Sequence, residues 1–361
     1  MRSPSPAARR AAAFVLALPL LAPPAPAVPP PVATSAAAWA EGAADVRRRM
    51  EEVMGPLPGP ADAARRAPPP VETLSEERAA GYLRRKIRYR PGGPEGAGDD
   101  AVPAWLLLPD LPAGSRAPAM LCLHQTTAVG KDEPAGLGGL PDLHYAHELA
   151  QRGWVCLVPD YPRFGEYRAP DTLEGTGYAS GSMRAVWNNL RGVDLLVGLP
   201  EVDGERIGVI GHSLGGHNAI FTAAFDPRLR AVVSSCGFTP FPDYYGGDLA
   251  GWTSVTYMPR IRTAYGADPA RVPFDFPEVI ASLAPRGFYA SAPERDDNFA
   301  VAGVRRAFAE ARPIYAILDA ADRLALATPD AAHTFPPAQR QEAYDWLERV
   351  LGGPAEREGQ R

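Results

Sequence analysis

Cysteine is scarce in this sequence, which has three cysteines among 361 residues. Three cysteines are too few for the disulfide framework on which small secreted domains depend. Cys122, Cys156 and Cys236 each lie in an apolar run typical of a strand, where a buried free thiol is the usual state. None of them lies at a sharp turn that would present a thiol for reaction, so the sequence disfavours a cysteine nucleophile.

An excess of charge of one sign is also missing, because the formal net charge is −5 and both signs are mixed along the chain. This balance argues against the basic surface that binding to nucleic acid or to an anionic membrane requires. The basic run from Tyr82 to Arg90 is interpreted as an edge strand, since lysine and arginine on an edge discourage pairing between sheets. We therefore expect no nucleic-acid partner.

No stretch of the sequence reaches the roughly 20 apolar residues that a membrane-spanning helix needs. The apolar segment 11–22 follows three arginines and precedes the small-residue site Ala25-Pro26-Ala27. This order is typical of a secretory signal peptide. We expect residues 1–27 to be removed and the protein to be exported, either secreted or periplasmic.

The remaining chain is predicted to contain one α/β domain. Residues 28–40 are rich in proline and alanine and are interpreted as a disordered linker, and the domain is expected to span residues 41–354. Beyond Pro118, strand and helix patterns alternate, which predicts a mainly parallel, twisted sheet of about eight strands with helices on both faces. After the sixth strand, residues 238–280 are rich in proline, glycine and aromatic residues and predict a cap-like insertion.

Residues 206–225 join an apolar strand pattern directly to an alanine-rich helix pattern through Gly211-His212-Ser213-Leu214-Gly215. Gly-x-Ser-x-Gly between a strand and a helix is typical of a nucleophile elbow, in which the serine lies on a strained turn above the sheet. Glycine fits at Gly211 and Gly215, because side chains two residues to either side of the serine would collide. Ser213 is therefore the predicted nucleophile.

A serine hydroxyl is a weak nucleophile and needs a histidine base that is oriented by an acid. In chains with such an elbow the order is serine, acid, histidine. Of the six histidines, only His333 follows Ser213 beyond the elbow helix. The acid is expected in the loop 293–299, where we choose Asp296 and keep Asp297 as the alternative.

Two backbone N–H groups are expected to stabilise the negative charge that develops during acyl transfer. One is predicted to belong to Leu214, the residue after the nucleophile. The other is expected in the loop after the strand 119–123, most simply at Thr126.

The chain resembles α/β-hydrolases of the dienelactone hydrolase and acetyl xylan esterase-like group over about residues 45–352. The resemblance is carried by the elbow, by the loop around His333 and by the segments 124–126, 131–136, 159–161 and 291–299. It implies the α/β-hydrolase fold, a triad of Ser213, Asp296 and His333, and ester hydrolysis without a cofactor. Dienelactone hydrolases proper use a cysteine nucleophile where this sequence has Ser213, and His-Gln-Thr replaces the His-Gly common in esterases.

Two further features have alternative interpretations. His144 and His147 lie one helical turn apart, as zinc ligands do, but no third ligand is evident, and we interpret them as histidines on a helix surface and expect no metal. The aromatic residues between 238 and 257 are equally compatible with an acyl or sugar pocket and with a packed cluster.

The sequence thus predicts an exported serine hydrolase that cleaves small acyl or acetyl esters through an acyl-enzyme. A prolyl-oligopeptidase-like serine peptidase shares the elbow and the triad order, but no propeller-like repeats precede the catalytic part. A non-catalytic exported binding protein on the same fold is a third alternative, which is disfavoured because binding alone does not need serine, histidine and acid together.

Overall fold

A nine-stranded sheet organises the part of the chain that the structure describes, which comprises residues 35–60, 66–95 and 100–353 of a computed structural model. In chain order the strands are β1 (Val71–Ala79), β2 (Tyr82–Tyr89), β3 (Val102–Pro109), β4 (Ala117–Leu123), β5 (Val155–Pro159), β6 (Val202–His212), β7 (Leu229–Ser235), β8 (Gly287–Ser291) and β9 (Leu324–Ala327). Their order in the sheet is β1-β2-β3-β5-β4-β6-β7-β8-β9. The pairs from β5 to β9 are parallel, and the three pairs from β1 to β5 are antiparallel.

Helices cover both faces of this sheet. They are α1 (Ala36–Met54), α2 (Tyr145–Gln151), α3 (Gly181–Gly198), α4 (Leu214–Phe225), α5 (Arg260–Thr263), α6 (Phe276–Ala281), α7 (Val301–Ile317) and α8 (Pro337–Leu351). Leu121 of β4 belongs to the core formed with α1, α3, α4, α6 and α7, whereas its neighbours Met120 and Cys122 belong to the core formed with α2 and α8. Because successive strand residues point to opposite faces, β4 is apolar at every position.

The sheet has one strand more than predicted. Strand β1 was not expected because its sequence, VETLSEERA, is largely polar, and eight of its nine residues are exposed. It covers β2, so the interpretation of the basic run as an edge strand is wrong. The arginines of β2 instead form ion pairs with glutamates of β1, as in Arg85–Glu76 at 2.5 Å and Arg84–Glu77 at 2.7 Å.

The predictions for the N-terminus fall largely outside the described residues. The predicted signal peptide, 1–27, and residues 28–34 of the predicted linker, 28–40, lie outside them. Helix α1 begins at Ala36, so the last five linker residues are helical, and Trp39 is buried. No helix in the described ranges combines the length and the apolar character needed to cross a membrane.

The predicted insertion lies between β7 and β8, where residues 241–247 and 249–252 form short turns of 3₁₀ helix before α5 and α6. It is tied to the rest of the domain by polar contacts. The Asp275 carboxylate caps α6 and accepts a hydrogen bond from the Phe241 N–H at 3.0 Å. Arg49 of α1 contacts Glu278 at 2.5 Å, which connects the N-terminal helix to the same segment.

Candidate active site

Ser213 lies at the sharp turn between β6 and α4. Its φ of 53° and ψ of −117° are unfavourable for a residue with a side chain and indicate local strain. A Cβ atom at Gly211 would lie 2.2 Å from the Gly215 carbonyl oxygen, and one at Gly215 would lie 1.9 Å from the Leu123 carbonyl oxygen. Gly215 therefore allows the start of α4 to approach the end of β4, and Gly211 allows it to pack against the end of β6.

Backbone hydrogen bonds hold this turn from both sides. The Ser213 N–H donates to the carbonyl of Ser235 in β7 at 2.8 Å, and the Ser213 carbonyl accepts from the N–H of Gly216 at 2.8 Å. The serine is half-buried at the carboxyl ends of the parallel strands, which is where loops from several strands meet.

His333 and Asp296 come from two different loops and form a bidentate contact. The His333 Nδ1 donates to the Asp296 carboxylate, with distances of 2.9 Å to Oδ1 and 3.0 Å to Oδ2. Oδ1 also accepts the backbone N–H groups of Asn298 at 2.9 Å and Phe299 at 3.1 Å. Asp296 is buried, whereas Asp297 is exposed.

The pKa of Asp296 reflects opposing influences. Burial, the largest one, raises the pKa of this carboxyl, but the hydrogen bond and charge of His333 and the two backbone N–H groups outweigh it. The pKa is therefore held below its ordinary value, and the carboxylate stays charged at neutral pH. A charged carboxylate can orient the imidazole and stabilise the imidazolium.

His212 places the His333 ring next to the elbow. The two rings meet edge to face with centroids 5.0 Å apart, and His212 directly precedes Ser213. The buried His212 forms a hydrogen bond with the Ser235 hydroxyl at 3.0 Å. Burial, together with the charge of His333, lowers the pKa of His212 to about 3, so a neutral ring supports the predicted base.

The two predicted oxyanion residues border the same tyrosine. Leu214, the first residue of α4, is buried and packs with Tyr161 in a small cluster to which Tyr257 of the insertion is added. The Tyr257 hydroxyl lies 3.4 Å from Oγ1 of Thr126 in the loop after β4. Tyr257 therefore links Thr126 to the cluster that contains Leu214.

Three buried polar residues fix the loop that carries Thr126, and sequence reasoning did not assign them a role. His124 Nε2 accepts the Tyr161 N–H at 2.8 Å. Asp160 accepts the Lys131 N–H at 2.7 Å and lies 3.4 Å from the Lys131 ammonium group. Burial raises the pKa of Asp160 to about 6 and lowers that of His124 to about 4. The available sequence signal was that these residues lie in the segments that carry the resemblance.

The aromatic residues of the insertion are mainly a packed cluster. Phe238, Phe241 and Trp252 are buried, and they stack with each other or with Phe276 at centroid distances of 5.2–5.8 Å. At the end of the stretch, the Tyr257 hydroxyl contacts Oγ1 of the predicted oxyanion residue Thr126. The packing interpretation therefore describes most of these side chains.

The two helix histidines have other partners than a metal. His144 Nε2 contacts the Gly138 carbonyl at 2.9 Å, and His147 Nδ1 contacts the Tyr82 hydroxyl at 2.7 Å. Among the described residues, the three side chains close enough together to bind one metal ion are Cys236, Asp296 and His333. His144 and His147 do not belong to this group.

Comparison with known proteins places this geometry among hydrolases. Residues 132–246 match the model of the Dienelactone hydrolase family. YtaP of Bacillus subtilis (strain 168), whose name describes it as a hydrolase, is 26% identical over 322 residues, which cover 85% of this chain and 99% of YtaP.

Two solved structures illustrate the similarity in fold. A glucuronoyl esterase from Solibacter usitatus has a TM-score of 0.66 at 18% identity and matches 88% of this chain and 95% of its own. Acetyl xylan esterase 1 from Thermoanaerobacterium sp. JW/SL YS485 has a TM-score of 0.55 at 16% identity, over 84% of this chain and 98% of its own. The predicted α/β-hydrolase fold and the resemblance to the dienelactone hydrolase group are confirmed, and the predicted carboxylic ester hydrolase is supported.

Replacing Gly215 with alanine tests whether the elbow depends on the close approach of α4 to β4. The new Cβ would lie 1.9 Å from a backbone carbonyl, so we expect Gly215→Ala to lose about 1–3 kcal/mol of unfolding free energy or more. Urea unfolding measures the loss. Gly138→Ala is the matched control, because no atom lies within 4 Å of its Cβ position. Equal losses in the two variants would contradict the close-packing argument.

Proposed function

We propose that this chain, which has the α/β-hydrolase fold and a region similar to the dienelactone hydrolase family, is a serine esterase with a Ser213–His333–Asp296 triad. The observation that carries the proposal is the bidentate contact of His333 with the buried Asp296. The His333 ring also packs against the ring of His212, the residue that precedes Ser213. Ser213, Asp296 and His333 each follow a parallel strand, β6, β8 and β9, and lie at the sheet edge where sites in such folds are found.

The mechanism follows from the hydrogen-bond pattern. Because Nδ1 of His333 donates to Asp296, Nε2 carries the lone pair and can accept the proton of the Ser213 hydroxyl. The serine oxygen attacks the ester carbonyl, and the backbone N–H groups of Leu214 and Thr126 stabilise the oxyanion. His333 then returns the proton to the alkoxide leaving group, and water releases the acyl group by the same steps.

We propose small acyl or acetyl esters as the substrates. The Tyr257 hydroxyl lies 3.4 Å from Oγ1 of Thr126, and its ring packs against the cluster that contains Leu214, so a bulky aromatic side chain borders the predicted oxyanion residues, which favours a small acyl group. Two of the similar structures, at low identity, are named glucuronoyl and acetyl xylan esterases, which fits an ester of modest size. No cofactor takes part in this chemistry.

A panel of esters and peptides tests the function. We expect the purified protein to hydrolyse p-nitrophenyl acetate faster than longer p-nitrophenyl esters, and to be labelled by a fluorophosphonate at Ser213. Ser213→Ala is expected to lose both ester hydrolysis and labelling by the fluorophosphonate, because the nucleophile is absent. Faster cleavage of peptides than of esters would favour the peptidase alternative. Folded protein with neither hydrolysis nor labelling would leave only the binding-protein alternative.

Exchange of the two neighbouring aspartates tests the acid. Asp296→Asn leaves an amide that cannot hold the imidazole tautomer, so we expect kcat to fall by something on the order of 10⁴. Asp297→Asn is the matched control, because it makes the same change on the exposed side chain of the next residue. Ester hydrolysis by both variants gives the comparison, and a larger loss in Asp297→Asn would transfer the role to that residue.

We also propose export through residues 1–27, a proposal that rests on their sequence and lies outside the described residues. Cleavage after Ala27 would make Val28 the first residue of the mature protein. Mass spectrometry of protein from the periplasm or medium of a bacterial host checks this. Ala25→Phe together with Ala27→Phe should block cleavage, and an intact N-terminus on cytoplasmic wild-type protein would contradict export.

A further inference from the structure

Cys236 lies behind the His333–Asp296 pair. It directly follows β7 with a φ of 47°, is buried, and is free, as expected. Its N–H donates to the carbonyl of Ser291 in β8 at 2.8 Å. Its Sγ lies 3.3 Å from the carbonyl oxygen of Thr334, the residue after His333. The proposed mechanism does not use this thiol.

The thiol completes a group of three different metal-binding side chains. Sγ of Cys236, a carboxylate oxygen of Asp296 and a ring nitrogen of His333 all lie within 4.8 Å of one another. Asp296 Oδ2 accepts a hydrogen bond from His333, whereas Oδ1 is also held by two backbone N–H groups. Oδ2 can therefore bind a cation while the loop keeps those two backbone hydrogen bonds.

The donor set is suited to a particular class of cation. Thiolate, imidazole and carboxylate bind Zn²⁺ at about 2.3, 2.0–2.1 and 2.0–2.2 Å, so donors on one tetrahedral ion lie roughly 3.5 Å apart. Shifts of about 1 Å would bring the three atoms to these positions. The His333 side chain is 22% exposed, whereas Asp296 and Cys236 are buried, so we expect a cation to approach from the histidine side with water as its fourth ligand.

We propose that Cys236, Asp296 and His333 form an inhibitory site for a thiophilic divalent cation such as Zn²⁺ or Cd²⁺. The sequence predicts no resident metal, and the proposed site does not conflict with that expectation. The cation here is an inhibitor, because it competes with the contact between His333 and Asp296. Hard cations such as Mg²⁺ prefer oxygen ligands and are excluded by the thiol and the imidazole.

Inhibition follows from the histidine tautomer. The cation takes the Nδ1 lone pair, so the single proton of the neutral imidazole resides on Nε2. The Cys236 thiol loses its proton to solvent, and one proton is released for each cation bound. With Nε2 protonated, His333 cannot accept the proton of Ser213. This consequence rests on the proposed function, whereas binding of the cation does not.

Titration with Cd²⁺ tests the site directly. Thiolate-to-Cd²⁺ charge-transfer absorbance should rise to one equivalent per chain, and Mg²⁺ should give none. Cys236→Ser should abolish the absorbance, and Cys236→Ala is a second variant whose thermal unfolding shows whether the fold is kept. Cys156→Ser is the matched control, because that buried thiol lies in β5 and contacts the Trp154 carbonyl.

Ester hydrolysis supplies the second readout. We expect Cd²⁺ to lower the wild-type rate by about 10²-fold or more, the typical contribution of a general base, and EDTA to restore it. Each variant is compared with its own metal-free rate, and the rates of folded Cys236 variants should be insensitive to Cd²⁺. Retained inhibition in those variants would overturn the proposal.

The two readouts separate the two proposals. Absent absorbance in the folded wild-type protein, or absorbance that is lost in Cys156→Ser, would overturn the metal site whatever the enzyme does. Absorbance without inhibition of an active esterase would overturn coordination by His333. A protein that binds Cd²⁺ through Cys236 but hydrolyses no ester would contradict the proposed function and keep the cation site.

Discussion

The contact between the start of α4 and the end of β4 is the constraint on which the candidate site depends. With no side chain at Gly215, the backbone of α4 can pack directly on the Leu123 carbonyl. This approach forces the turn at Ser213 into its strained conformation and raises the serine above the sheet. It also brings the start of α4 to the backbone of His124, the first residue of the loop that carries Thr126. The strained turn at Ser213 and the predicted oxyanion hole therefore depend on the same close approach of α4 to β4.

The acid and the histidine depend on a different constraint, which is the parallel pairing of β7, β8 and β9. Parallel strands end at one edge of the sheet, so the loops that carry Asp296 and His333 emerge side by side although they are 37 residues apart. Burying a carboxylate is costly unless it is hydrogen-bonded, and the N–H groups of Asn298 and Phe299 provide those bonds. The same pairing brings Cys236 to this edge.

Sequence patterns predicted the features that are local or fixed by chain order. The turn between strand and helix at Ser213 and the alternation of strands and helices belong to this group. The pattern could not show β1, because a largely exposed strand of polar residues lacks the period of a buried face. Because β1 was not predicted, β2 was interpreted as the edge strand of the sheet. The orientations of Asp296 and Asp297 and the proximity of Cys236 depend on loop conformation and strand register, which no spacing encodes.

The buried pair of Lys131 and Asp160 gives a physical reason for two segments that carry the family resemblance. Burial raises the pKa of the Asp160 carboxyl, and the nearby ammonium group of Lys131 partly offsets this increase. In return, Asp160 accepts the N–H groups of Lys131 and Glu166 and so joins the loops after β4 and β5. A neutral residue at 160 would remove the buried carboxylate that faces Lys131 and leave its ammonium group with the partly exposed Asp132 and Glu166, at 3.3 and 3.4 Å. The loop that carries Thr126 is thus held by buried groups outside the proposed triad, so a segment that carries the resemblance can have a structural role.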